Sequence, residues 1–313
     1  MHAAWKRGMM QPRKSVQEMK AYSPPTQGRG VAVRLDFNEN TVGCSPSVTD
    51  AITQALSANS VAMYPEYSSA REIISSFFKV DSEQMAITNG TDEAIQLLVN
   101  TFMDAGDELV ITSPSYAMYR FYAEVSGVVV KEVNYLLHDN LSFPMKELLS
   151  AITPSTKAVF IANPNNPTGA LYGDDVLKEI IALAREHGLI IFADEIYDKT
   201  LFDGEKHTSI GALSTDVVTV TFNGLSKNYR ACGYRSGWMV VSGDKSGAKD
   251  YIEGLNMLSS MRLCANVPGQ NAIQTALGGY QSIDDLVAEG GRLRRQRDLA
   301  WELVTKIPGV TCV

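Results

Sequence analysis

From about residue 68 onward, the apolar positions of the chain switch repeatedly between two periods. Ile73, Ile74, Phe77 and Phe78 recur at the spacing of a helix face. Gln84–Thr88 reads as a short strand that runs into Asn89-Gly90-Thr91-Asp92. Ala94, Ile95, Leu98 and Phe102 then restore the helical period. Strand Glu108–Thr112 leads to Ser113-Pro114 and another helix. Lys157–Ala162 is a nearly unbroken apolar strand, followed by a turn and a helix around Val176–His187. Leu189–Ala193, Val217–Phe222 and Trp238–Val241 complete the strands. The C-terminal part reads as helices, with Pro268 suited to a first turn and Arg292–Lys306 amphipathic. Strands that alternate with helices predict βαβ units and a mostly parallel sheet.

The polar oddities fall just after these strands: Asn89–Asp92, Ser113–Tyr116, Asn163–Gly169, Asp194–Tyr197 and Ser226–Arg235. Open α/β sheets bind ligands outside the carboxyl ends of their strands, so these five segments are expected to line one crevice.

Composition narrows the picture. A chain of 313 residues, 45% hydrophobic and 20% charged, is long enough for one large α/β domain and a smaller one, without extended disorder. Its net charge of −7 disfavours a general nucleic-acid role. Cys44, Cys232, Cys264 and Cys312 form no CxxC pair, and His2, His138, His187 and His207 have no ligand spacing. No metal site or disulfide frame is therefore expected, and reduced thiols suit a cytoplasmic setting. No apolar run approaches a membrane span, and the basic N-terminal stretch lacks the apolar segment of a secretory signal.

Several residues in the crevice could carry chemistry. Asp194, directly after an apolar strand, is either a solvated or capping carboxylate or the holder of a positive charge. Lys227 is either a surface charge or a nucleophilic amine, since an ammonium disfavoured by neighbouring cations can lose its proton and form a Schiff base. Ser226 before it and Arg235 after it suit a phosphate. The spacing is not that of a Walker A loop, because Asn228 follows the lysine. Asn89-Gly90-Thr91-Asp92 opens a helix whose free N–H groups could take phosphate, or Thr91 simply caps it. Tyr116 and Tyr64, taken singly, are packing aromatics.

NPNNPTG, ADEIYDKTLFDG and FNGLSKNYRACGYRSGW together resemble the signature of class I and II aminotransferases over residues 30–313. That resemblance implies pyridoxal 5′-phosphate and a three-layer αβα domain with a mostly parallel sheet, plus an incomplete small domain. It implies an arm at 1–30, the N-terminal part of the small domain at 31–60, a large cofactor-binding domain at 61–265, and the start of the C-terminal small domain at 266–313. The chain also divides. LDFNENTVGCSPSV, MYPEYSSAREI, NGTDEAI and SPSYAMY resemble histidinol-phosphate aminotransferases. FADEIYDK, the lysine loop, IEGLNMLSSMRLCANVPGQNAIQTALGGYQS and IPGVTCV resemble glutamate–pyruvate (alanine) aminotransferases. A hybrid ancestry and a separate branch both fit that division.

Carried over residue by residue, the resemblance implies that Lys227 condenses with the cofactor aldehyde and then moves the substrate α-proton. Asp194 would pair with the pyridinium nitrogen, and Tyr197 and Asn166 would hold the ring 3-oxygen. Ser226, Arg235 and the amides of Gly90, Thr91 and Asp92 would hold the phosphate. Tyr116 would stack on the ring, and Tyr64 would reach the phosphate of a neighbouring subunit, making a homodimer with shared sites. The substrates implied are an amino acid and a 2-oxo acid, glutamate/2-oxoglutarate with alanine/pyruvate first and histidinol phosphate as runner-up. A β-eliminating lyase and an inactive cofactor-binding module are the readings from other classes. Gly224 stands where many relatives place a phosphate-binding Ser or Thr. The resemblance also implies about 50–100 further residues beyond Val313, holding the arginine that grips the substrate carboxylate.

Overall fold

The computed structural model describes residues 12–19, 27–66, 68–136 and 139–312. Most of the expected arm, with Ser-Pro-Pro-Thr at 23–26, lies outside the described residues, as do His2, Tyr67 and His138. The order begins α1 (Lys14–Gln17), α2 (Pro46–Ala55), α3 (Ala58–Ala62), α4 (Ser68–Phe78), β1 (Met85–Thr88), α5 (Thr91–Phe102) and β2 (Glu108–Ser113). It continues α6 (Ala117–Ser126), β3 (Val129–Asn134), α7 (Met145–Ala151), β4 (Thr156–Ala162), α8 (Asp174–His187), β5 (Ile190–Asp194) and α9 (Ile210–Leu213). β6 (Thr219–Gly224), β7 (Gly237–Ser242), α10 (Lys249–Ser260), α11 (Val267–Gly278), α12 (Ser282–Val287) and α13 (Arg292–Val304) follow.

Among the described residues, seven strands form one sheet in the order β1-β7-β6-β5-β4-β2-β3. β2 pairs in parallel with β3 and β4, and β4–β5 and β5–β6 are also parallel. β7 pairs antiparallel with both its neighbours, β6 and β1. The sheet is thus mostly parallel, with one reversed strand inside it.

Alternate residues of the central strands enter two separate cores, which is why these strands read as continuous apolar runs. Leu109, Ile111, Ala158, Phe160, Ile190 and Phe192 pack with α5, α6 and α10 on one face. Val110, Val159, Ile161, Ile191 and Ala193 pack with α7, α8 and α9 on the other. Helices on both faces make the three-layer αβα domain. Val48, Ile52, Ile74, Ala272 and Ile273 of α2, α4 and α11 gather with Met85, Ile87 and Trp238 in a third cluster near β1. No helix among the described residues is long and apolar enough to cross a membrane.

The same alternation aims the chemistry. Asp194 shares the face of Ile190 and Phe192, so its carboxylate points toward α6. Glu195 points the other way, toward the start of α9.

Candidate active site

Asp194 ends β5 with 4% of its surface exposed. Its Oδ2 accepts a 2.7 Å hydrogen bond from the Tyr119 hydroxyl, and Oδ1 accepts one of 3.1 Å from the Ile196 amide. Tyr119 lies three residues after Tyr116 on the inner face of α6 and stacks on Phe160 at 4.7 Å, which fixes its hydroxyl under the strand end. Burial pushes the Asp194 carboxyl up to about 6; the Tyr119 hydroxyl, the Ile196 amide and the Lys227 charge oppose that rise. An ionised carboxylate here costs solvation, so a cation brought to the strand end would relieve it.

Lys227 lies in the loop after β6, and its Nζ donates to the Phe37 carbonyl at 2.8 Å. Burial lowers its pKa, helped by the positive charge of Arg235, while Cys232, Asp92 and Asp194 oppose the shift. The neutral amine is thereby more accessible than on a surface lysine. Lys227 and Tyr197, in the turn that follows Asp194, line one cleft.

Opposite them, Gly90 caps α5 with φ +82°, a conformation that favours glycine. A Cβ there would meet the Arg235 Nη2 at 2.8 Å. The helix start and the Arg235 guanidinium therefore form a tight cradle. Asp92 bridges it, accepting from the Tyr116 hydroxyl at 2.9 Å and from Arg235 at 3.3 Å. An amine-bearing loop, a buried carboxylate and an arginine cradle fit an anionic, ring-containing aldehyde such as pyridoxal phosphate. Gly224 is explained by packing: a Cβ there would lie 2.7 Å from the Ser236 carbonyl, so the Ser or Thr of other relatives would force the β6–β7 pair apart.

The five expected segments do meet. Arg235 reaches Asp92, Asp92 reaches Tyr116, Asn165 lies 3.5 Å from Ser115, and the Asn163 amide donates to the Asp194 carbonyl. Tyr197 accepts from Asn38 at 2.8 Å. Asn166 and Ser226 are half-buried, and their side chains make no hydrogen bond among the described residues. Tyr64 is 74% exposed. The backbone at Thr91 and Asp92 starts α5 beside Gly90.

Four contributors went unread in the sequence. Tyr119 was legible in principle, three residues after Tyr116 in one helix, because a buried tyrosine hydroxyl needs a partner. Phe37 and Asn38 reach Lys227 and Tyr197 over sequence separations of 190 and 159, which no local pattern reports. Behind the lysine loop, the Asp198 carboxylate accepts from Asn223 at 3.1 Å and from Asn228, tying both to the turn after Asp194.

Comparison with known proteins shows the family. Residues 31–313 match the family model described as aminotransferase class I and II. The glutamate-pyruvate aminotransferase AlaA of Escherichia coli K12 is 52% identical over 236 residues, covering 75% of this chain and 58% of that protein. An alanine aminotransferase of Mycobacterium tuberculosis H37Rv is 45% identical over 244 residues, covering 77% of this chain and 56% of that one. A crystal structure of an aminotransferase from Escherichia coli superposes with TM-score 0.83 at 44% identity, over 87% of this chain and 69% of that one. The chain thus spans less than three fifths of the length of these curated relatives.

Proposed function

Since the chain belongs to the class I and II aminotransferases, whose cofactor is pyridoxal 5′-phosphate, we propose that it moves an amino group between an amino acid and a 2-oxo acid, glutamate/2-oxoglutarate with alanine/pyruvate. The observation that carries this reading is that Lys227, its ammonium disfavoured by burial and Arg235, lines one cleft with Tyr197 of the turn that follows the buried Asp194. The alanine assignment rests on likeness to the alanine-type relatives.

The cofactor supplies an aldehyde and an electron-accepting ring. Lys227 Nζ would supply the amine for the aldehyde and the base for the proton at the substrate Cα. Its hydrogen bond to the Phe37 carbonyl aims it while it waits. Asp194 would hold a proton-bearing ring nitrogen through a charge-assisted contact, and the Tyr119 hydroxyl orients that carboxylate and favours its charged form. Arg235 and the amides of Gly90, Thr91 and Asp92, with Ser226, would hold the phosphate, and the Asp92 carboxylate would then have to yield Arg235 in part. Tyr197 and Asn166 would hold the ring oxygen, and Tyr116 would cover the ring. Tyr64, exposed on one chain, is assigned to the phosphate of a second copy in a homodimer, and the protein to the cytoplasm.

Incubating the cofactor-loaded protein with 2-oxoglutarate and either L-alanine or histidinol phosphate tests the reading. Glutamate formation with alanine is expected. Preference for histidinol phosphate would replace the substrate assignment, and no glutamate from either donor would remove the proposal.

A further inference from the structure

The cradle of Gly90 and Arg235 is assembled from two distant parts of the chain, the start of α5 and the turn before β7. Gly90 takes φ +82°, which is open to glycine, but Arg235 takes φ +47°, which strains a residue with a long side chain. A Cβ at Gly237 would lie 2.9 Å from the Gly90 carbonyl carbon, so the two backbones are pressed together with no side chain between them. Such a geometry persists only where the surroundings over-determine it. A set of side chains outside the cofactor-holding residues supplies that constraint.

Arg262, just after α10, is bound at all three guanidinium nitrogens. Its Nε donates to Glu93 Oε1 at 2.6 Å, Nη1 to the Ser259 carbonyl at 2.6 Å and Nη2 to the Ile87 carbonyl at 2.7 Å. The Arg262 and Glu93 side chains are only 21% and 20% exposed, so this pair is screened less than a surface ion pair. Glu93 passes the constraint on. Its Oε2 accepts from the Asn89 amide at 2.6 Å, and its Oε1 accepts from Asn89 Nδ2 at 3.3 Å. Asn89 Oδ1 in turn accepts from the Asn266 amide at 2.8 Å and from Asn266 Nδ2 at 3.1 Å. That same Nδ2 donates to the Arg235 carbonyl at 2.7 Å, while Asn266 Oδ1 caps α11 by accepting from the Gly269 amide. One continuous path therefore runs from Arg262 through Glu93, Asn89 and Asn266 to Arg235. It grips the residue before Gly90 and the backbone of Arg235, the two halves of the cradle.

We propose that Arg262, Glu93, Asn89 and Asn266 are positioning residues that set the spacing between the Gly90 amide and the Arg235 guanidinium for the cofactor's phosphate. The proposal rests on the aminotransferase reading and deepens it. None of the four is itself a phosphate ligand in that reading; they hold both anion-binding halves in place before the anion arrives. Glu93 gives the argument a sign. As a negative charge near an anion site it opposes phosphate, so losing the charge alone would tighten binding. As a brace, its loss loosens binding. In Glu93→Gln the shape is kept, but the new amide nitrogen accepts from neither Asn89 nor Arg262, so one donor loses its acceptor whichever way the amide turns.

The test compares two ligands that differ only in the phosphate. The full chain, stripped of cofactor, is titrated by fluorescence with pyridoxal 5′-phosphate and with pyridoxal. E93Q and N266S are each expected to weaken pyridoxal 5′-phosphate about tenfold or more and to leave pyridoxal within about twofold of wild type. N266S changes no charge and keeps the α11 cap through its hydroxyl, so its melting temperature stays near that of wild type while the contact to the Arg235 carbonyl is lost. A role in stability alone would lower the melting temperature and move both ligands alike or neither. Should E93Q fail to fold, N266S carries the test. Unchanged or tighter pyridoxal 5′-phosphate binding by either variant, or pyridoxal weakened as much as its phosphate, overturns the brace and leaves the transaminase reading untouched. Phosphate-selective loss in the variants without amino transfer by wild type would instead leave the brace standing and remove the transaminase reading.

Discussion

Tyr119→Phe removes one oxygen and tests how Asp194 is kept charged. The Tyr119 hydroxyl is wholly buried and its 2.7 Å bond holds the charged form of Asp194. The carboxyl stands at about 6, raised chiefly by burial, and the hydroxyl is the largest influence opposing that rise. A hydrogen bond to a charged group is worth about 1.5–3 kcal/mol. At about 1.4 kcal/mol per pH unit, deleting it raises the Asp194 midpoint by roughly 1–2 units. Asp194 would then be largely protonated at neutral pH and unable to hold a cation. Stability follows with a fixed sign. A carboxyl whose folded pKa is raised contributes stability fully present below its unfolded value, and loses it as pH rises through the folded value. Wild type stops losing near pH 6, whereas the variant goes on losing above it. Its deficit should therefore open as pH rises past 6, while any pH-independent packing cost stays constant. The assay is 13C NMR of labelled aspartate carboxyls in the cofactor-free protein across pH 4–9, with urea unfolding at pH 5 and 8. A midpoint equal to or below that of wild type, or the same deficit at both pH values, would refute the reasoning.

Gly90→Ala puts a methyl group 2.8 Å from the Arg235 guanidinium at a positive φ. It is expected to cost about 1–3 kcal/mol in denaturant unfolding and to weaken pyridoxal phosphate in fluorescence titration; unchanged affinity would count against the cradle. Glu195 is raised by burial to about 8, so its stabilising contribution is present below its ordinary value and is lost as pH rises through 8. Glu195→Gln removes that loss, and the variant should gain on wild type steadily between pH 4.5 and 8 in urea melts; a pH-independent difference would contradict the assignment.

The parts of the fold readable in the sequence were those whose residues face two cores. β4 and β5 are apolar on both sides, so their runs declared them. β3 escaped because it is an edge strand whose Lys131 and Glu132 are half-exposed, and Lys131 pairs across to Glu108. β6 runs two residues past Phe222, since Asn223 and Gly224 pair with Trp238 and Gly237 although neither is a strand former. The reversal of β7 has no signature in its own residues. It follows from the β6–β7 connection, which contains no crossover helix of the kind a parallel neighbour requires. At the site, the segments following strands could be grouped in advance because strand ends converge. Asn38 and Arg262 were not singled out, because their importance lies in the distant segments they contact.

The central claim is that Lys227 is the amine that engages the cofactor. Reducing the pyridoxal-phosphate-loaded protein with borohydride and mapping its peptides by mass spectrometry tests this directly. The expected result is a single pyridoxyl mark on the peptide carrying Lys227, absent from Lys227→Ala although that variant still binds cofactor through Arg235. A mark on another lysine, or an unmodified Lys227 in cofactor-saturated protein, would contradict the account.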